Sequence, residues 1–178
     1  MVLRDGEGGF SEVYNVVLDH VSASWATDEN VSVYASKEDA ADGAVHDVTI
    51  QWSIISEGLS NGFHPKGEHS KGLLIGDGSD WVSVHHNLLA RNVKRHPKFK
   101  SGTSGPIVNN IVCNSPDVVG LSNAEGTDKA ILIDLTANTF WRGRTALATS
   151  GASESTQKES PTTSKVYAKG NIQSAAQR

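Results

Sequence analysis

Val82-Ser83-Val84-His85-His86-Asn87 and, shortly after it, Ile107-Val108-Asn109-Asn110 decide the fold. Each is a short run of alternating, β-branched residues that closes on asparagine, the pattern of a strand that ends at a bend. Working outward, Val16-Val17-Leu18-Asp19-His20-Val21 and Val48-Thr49-Ile50-Gln51-Trp52-Ser53 repeat it upstream. Ile131-Leu132-Ile133 leading to Asn138, and Val166-Tyr167 leading to Asn171, repeat it downstream. Taking Val21, Ser53, Asn87, Asn110, Asn138 and Asn171 as equivalent, the spacings are 32, 34, 23, 28 and 33 residues. That variation is too wide for a helical repeat and fits a solenoid whose coils keep their strands while one connection changes length. No amphipathic helical period competes, so the expectation is an all-β chain, a right-handed parallel β-helix of about six coils forming one domain over 1–178.

The recurring asparagines carry a structural expectation. Asn tolerates a left-handed backbone at a tight bend, and its amide can bond to the same residue in the next coil. Asn87, Asn110, Asn138 and Asn171 are therefore read as a ladder rather than as chemistry. The stretch Ser150 to Ser164, rich in Ser and Thr with Gly151 and Pro161, reads as a flexible loop between late coils.

Composition narrows the partners. Hydrophobic content is 37%, and no apolar run approaches the ~20 residues that cross a bilayer, so no membrane is expected. One cysteine, Cys113, rules out an internal disulfide and sits at the end of an apolar run, where a buried thiol is expected. The formal charge of -4 hides an asymmetry. Residues 1–50 hold ten acids against Arg4 and Lys37, a local charge of -8, whereas Trp81 to Pro116 carries Arg91, Lys94, Arg95, Lys98 and Lys100 with no acid. An acidic stretch suits a hard cation and a basic one suits a polyanion. The pI near 5.9 and the lack of aromatics among those cations argue against nucleic acid.

Three segments hold candidate chemistry. Asp28-Glu29 follows Asp19-His20-Val21-Ser22-Ala23-Ser24-Trp25, and adjacent carboxylates suit Ca²⁺, which takes six to eight oxygens. His64-Pro65-Lys66-Gly67-Glu68-His69-Ser70-Lys71-Gly72 is a glycine-punctuated loop whose Lys66 and Lys71 can pair with substrate carboxylates. Its histidines show no tetrahedral set with sensible spacing, so zinc is not expected. In the third segment a strand through His85 and His86 feeds the basic loop Arg91 to Lys100, where Pro97 restricts the backbone on either side. Asp77 and Asp80 share a glycine-bearing turn, which does not suit the facing acids of a hydrolase.

Taken together, these motifs resemble the pectate lyases of the first polysaccharide lyase family. The carriers are Asp19 to Trp25 with Asp28-Glu29, then Gln51-Trp52-Ser53-Ile54-Ile55-Ser56-Glu57-Gly58-Leu59, His64-Pro65-Lys66-Gly67, His85-His86-Asn87-Leu88-Leu89 and Arg95-x-Pro97. The resemblance implies a secreted, calcium-dependent enzyme that cleaves α-1,4-linked polygalacturonate by β-elimination, with a non-catalytic polysaccharide-binding β-helix as the alternative. It assigns the base to Arg95 and the grip on substrate to Lys71, with Lys66, Lys100 and His86 alongside. Lys100 stands where the family pattern has a second arginine. For the metal it implies Asp28, with Ser32 where a further carboxylate is expected and Glu29 as compensation; Asp5 and Glu7 are possible substitutes for an earlier aspartate pair. The chain reads as starting partway along the expected solenoid, whose open coil end invites self-association. The Arg95 loop is expected to be exposed, so that Arg95→Ala removes turnover and spares folding.

Overall fold

The computed structural model describes residues 1–4, 12–34, 44–116, 119–122, 129–142, 147–149 and 164–174. Asp5, Glu7 and residues 150–163 of the expected loop from Ser150 to Ser164 lie outside them. After β1 (Val2–Arg4), strands follow in triads: β2 (Val13–Asp19), β3 (Ser22–Ser24) and β4 (Glu29–Tyr34); then β5 (Val45–Gln51), β6 (Ile54–Ser56) and β7 (Lys71–Ile75). The third triad is β8 (Ser79–His85), β9 (Leu88–Ala90) and β10 (Lys98–Lys100), and the fourth is β11 (Ser104–Val108), β12 (Ile111–Cys113) and β13 (Val119–Ser122). The series ends with β14 (Leu132–Thr136), β15 (Thr139–Trp141), β16 (Leu147–Thr149), β17 (Lys165–Lys169) and β18 (Ile172–Gln173).

Each strand pairs in parallel with the strand three places along, giving three sheets. The first runs β1-β4-β7-β10-β13-β16, the second β2-β5-β8-β11-β14-β17, and the third β3-β6-β9-β12-β15-β18. This is the expected parallel β-helix; among the described residues it has five complete triads, slightly fewer than the six coils expected. Among the described residues no helix is long and apolar enough to cross a membrane.

Rows of like residues fill the interior because the same position recurs in every coil. Leu18, Ile50, Val84, Ile107 and Leu135 are register partners down the second sheet, and all are buried. Ala23, Ile55, Leu89, Val112 and Phe140 form the matching row of the third sheet, and Val33, Ile75, Phe99 and Leu121 that of the first. Every fully buried Val, Leu, Ile or Phe in these rows contributes about 1.5–3 kcal/mol. Cys113 departs from expectation: it closes β12 only half-buried, outside the core row, and burial pushes its thiol up against the opposing pull of Arg91.

The corner between the second and third sheets carries the asparagine ladder, in the expected order. The backbone N–H of Val21 donates to Ser53 Oγ and that of Ser53 to Asn87 Oδ1, and the steps continue to Asn110, Asn138 and Asn171 at 2.9–3.0 Å. Side-chain amides join the same column, Asn87 to Asn110 and Asn110 to Asn138 at 3.0 Å. One part of the expectation is corrected. The left-handed residue is not the ladder asparagine but the residue before it: His20, Trp52, His86, Asn109 and Ala137, with φ of 47–56°, and Gly170. That conformation costs about 1–2 kcal/mol at a residue with Cβ, and the ladder behind it supplies the hydrogen bonds that hold the bend.

Asn110 shows what the ladder is worth. Its Nδ2 donates to Val84 O at 2.8 Å and its Oδ1 accepts from the Asn87 backbone, all out of water. Asn110→Ala strands these partners, and a stability loss of about 3 kcal/mol is expected in urea unfolding. Asn171, nearer solvent, should lose less when replaced by alanine.

Candidate active site

Where the third sheet turns into the first, a second asparagine pair sets the geometry. Asn92 Oδ1 accepts from Asn30 Nδ2 and from the Gly58 backbone, each at 3.0 Å, while Asn92 Nδ2 donates to Ile55 O. Asn30 in turn donates to Ser56 O. Three successive coils are thereby locked at one corner, with Trp25, Glu57 and Arg91 stacked in left-handed backbone just ahead of it. The chain then lies flat along β7, Gly72 N donating to Lys94 O and Leu73 N to Arg95 O. Gly72 permits that approach: a Cβ there would come within 2.6 Å of Arg95 O and 2.9 Å of Asn92 Nδ2.

This register stacks charge. Glu29 of β4 pairs with Lys71 of β7, and Lys71 bridges to Lys94 in the next coil. Arg95 forms an ion pair through Nη1 with Glu29, and both are largely buried, at 10% and 13% side-chain exposure. Asp28, one residue before, lies 4.0 Å from Lys71 Nζ. Carboxylates from the acidic stretch and cations from the basic stretch, 66 positions apart at Glu29 and Arg95, therefore meet on one edge of the first sheet.

The loop from Leu59 to Ser70 closes over Asp28. Leu59 N donates to Ala26 O and Ser70 N to Leu59 O, so both ends of the loop are tied beside the Asp28 bend. It delivers His64 Nε2 to 3.5 Å from Asp28 Oδ2 and His69 Nε2 to 3.6 Å from Asp28 Oδ1, with the two imidazoles stacked 3.7 Å apart. Sequence reading noted His64 and His69 and set zinc aside; what it missed is their place beside Asp28. Their glycine-punctuated loop was visible, but nothing in their spacing says that Asp28 lies opposite.

The remaining candidates divide. Lys66 is exposed on the same loop, its amide donating to His64 Nδ1. Lys100 stands on β10 and donates to Asp77 Oδ2 at 3.4 Å. His86 belongs to the other corner, where it stacks 4.4 Å from Trp52 and lies 2.9 Å from His85 through Nδ1. There, burial and then the His86 charge push His85 below its usual value.

Calcium can be tested against the donors present. Glu29 is committed to Arg95, and Asp28 faces two imidazoles and an ammonium. Ser32 lies three residues beyond Glu29 on β4, and positions three apart on a strand point to opposite faces. An ion needing six to eight oxygens does not find them among Asp28, Glu29 and Ser32. Asp28, Glu29 and Ser32 by themselves do not make up a calcium site.

Comparison with known proteins adds a kinship. The chain is 34% identical over 149 residues to a probable pectate lyase C of Aspergillus flavus, covering 79% of this chain and 31% of that protein. It is 36% identical over 120 residues to a probable pectate lyase C of Emericella nidulans, and 36% over 104 residues to one of Aspergillus terreus. The matched region spans 20–31% of the length of these relatives. No protein-family profile matches the chain, and no solved structure gives a significant match.

The burial of Arg95 corrects the expectation that its removal spares folding. Arg95→Ala leaves the Glu29 carboxylate enclosed without its guanidinium, which costs about 3 kcal/mol or more. A lowered urea midpoint is expected for Arg95→Ala, with most of the loss recovered in the double variant Glu29→Gln/Arg95→Ala.

Proposed function

The chain belongs by sequence to the pectate lyase family, and from that premise we propose that it binds acidic polysaccharide of the polygalacturonate type and cleaves it by β-elimination outside the cell. The observation that carries this reading is the stacked edge of Glu29, Lys71, Lys94 and Arg95. A uronate presents a carboxylate beside the carbon that must lose its proton. Neutralising that carboxylate makes the proton removable.

Lys71 is suited to this neutralisation, and exposed Lys66 to the neighbouring sugar's carboxylate. Arg95 takes the C5 proton. The C4–O bond then breaks, a C4–C5 double bond forms, and the departing oxygen collects a proton from solvent. A guanidinium must first release its own proton to act as a base, and the Glu29 carboxylate beside it favours the charged form. Turnover is therefore confined to alkaline pH. If Arg95 stays charged throughout, the same edge grips polysaccharide without cleaving it, which is the second reading the ion pair favours.

Two measurements test the proposal. Polygalacturonate incubated with the chain should develop ultraviolet absorbance of the unsaturated product, and Lys71→Gln should lower the rate more than tenfold. Binding of the polymer without any such absorbance would leave the second reading standing. Glu29→Gln removes the carboxylate that holds Arg95 charged, so the alkaline rise of the pH–rate profile should move to lower pH. An unmoved profile means that another group takes the proton.

A further inference from the structure

We propose that Asp28, His64 and His69 form a binding site for a divalent transition cation of the zinc class. Zinc–nitrogen and zinc–oxygen bonds of about 2.0–2.1 Å place neighbouring donors of a tetrahedron about 3.3–3.4 Å apart. The two imidazole Nε2 atoms stand 3.5 and 3.6 Å from the Asp28 oxygens, and one donor atom from each of the three residues lies within 4.8 Å of the others. Two imidazoles and one carboxylate are a zinc-type donor set, unlike the all-oxygen cage of calcium.

A second observation points to a cation here. His69 is buried, at 7% exposure, and its Nδ1 lies 3.2 Å from Gly67 O and 3.1 Å from Glu68 O. Those carbonyls accept from Nδ1–H and turn Nε2 toward the carboxylate, the arrangement that orients a metal-ligating imidazole. Asp28 Oδ1 is itself enclosed and has no hydrogen-bond partner. The Lys71 ammonium, 4.0 Å from Oδ1, is the positive charge that now faces this oxygen, and a cation seated between Oδ1 and Nε2 would take over that role.

His64 must adjust on loading. Its Nδ1 now accepts from the Lys66 amide at 3.1 Å, so its proton sits on Nε2. When the cation takes Nε2, that proton passes through solvent to Nδ1 and the Lys66 amide turns away, with no net proton change. Lys71 Nζ, 4.0 Å from Asp28 Oδ1, yields toward solvent and weakens affinity. Three protein ligands leave a fourth position open to water or a uronate oxygen.

The test reads binding rather than turnover, so it stands apart from the lyase reading. Untagged chain stripped with chelator is titrated with Zn²⁺, with Ca²⁺, and with Co²⁺, whose visible absorption reports four-coordinate geometry. One equivalent of Zn²⁺ should raise the unfolding temperature, and Co²⁺ should give an intense tetrahedral spectrum. Asp28→Asn and His64→Gln should each weaken Zn²⁺ binding at least tenfold, while His46→Gln, at a separate histidine–carboxylate pair, leaves it unchanged. Zn²⁺ binding equal in all these variants, stabilisation by Ca²⁺ alone, or no binding of either ion would overturn the proposal.

Discussion

Equal coil height constrains everything else in this molecule. Parallel strands in successive coils can share hydrogen bonds only if each coil returns to the same corner at the same level. The chain meets that demand with left-handed residues at two corners per coil, a conformation that costs energy at His20, Trp52 and His86. Buried amides repay it. Asn87, Asn110 and Asn138 satisfy both neighbouring backbone and one another, and each would be a liability if its partners were displaced by even one residue.

The same constraint builds the charged edge. Asn30 and Asn92 lock a corner across three coils, and the segments beside it, β4, β7 and the stretch before β10, carry Glu29, Lys71 and Arg95 to adjacent levels. Because the platform is fixed, opposite charges confront each other without being fully solvated. Glu29 and Arg95 compensate one another, whereas Asp28 is left to two histidines and a lysine. Side chains of one local sequence, Asp28 and Glu29, thus acquire different partners and different chemical potential.

Much of the fold was legible from residue order. The run ending at Asn87 and its five counterparts gave the ladder positions one by one, because a stacked solenoid repeats the same physical demand in every coil. The identity of the left-handed residue was not legible: His86, Asn109 and Ala137 have little in common as residue types, and the bend is imposed on them by the asparagine that follows. Burial of Arg95 was also hidden. A basic loop reads as solvated until the neighbouring coil brings Glu29 onto it and Gly72 lets its backbone lie flat.

By itself the sequence determined the repeating strands, the ladder and the separation of acidic from basic stretches, since these follow from local pattern and composition. Only the tertiary structure decided which charges meet. Contact between Glu29 and Arg95, or between Asp28 and the histidines at 64 and 69, depends on the register of coils and on where a loop of variable length comes to rest, and neither is written in the spacing of the residues themselves.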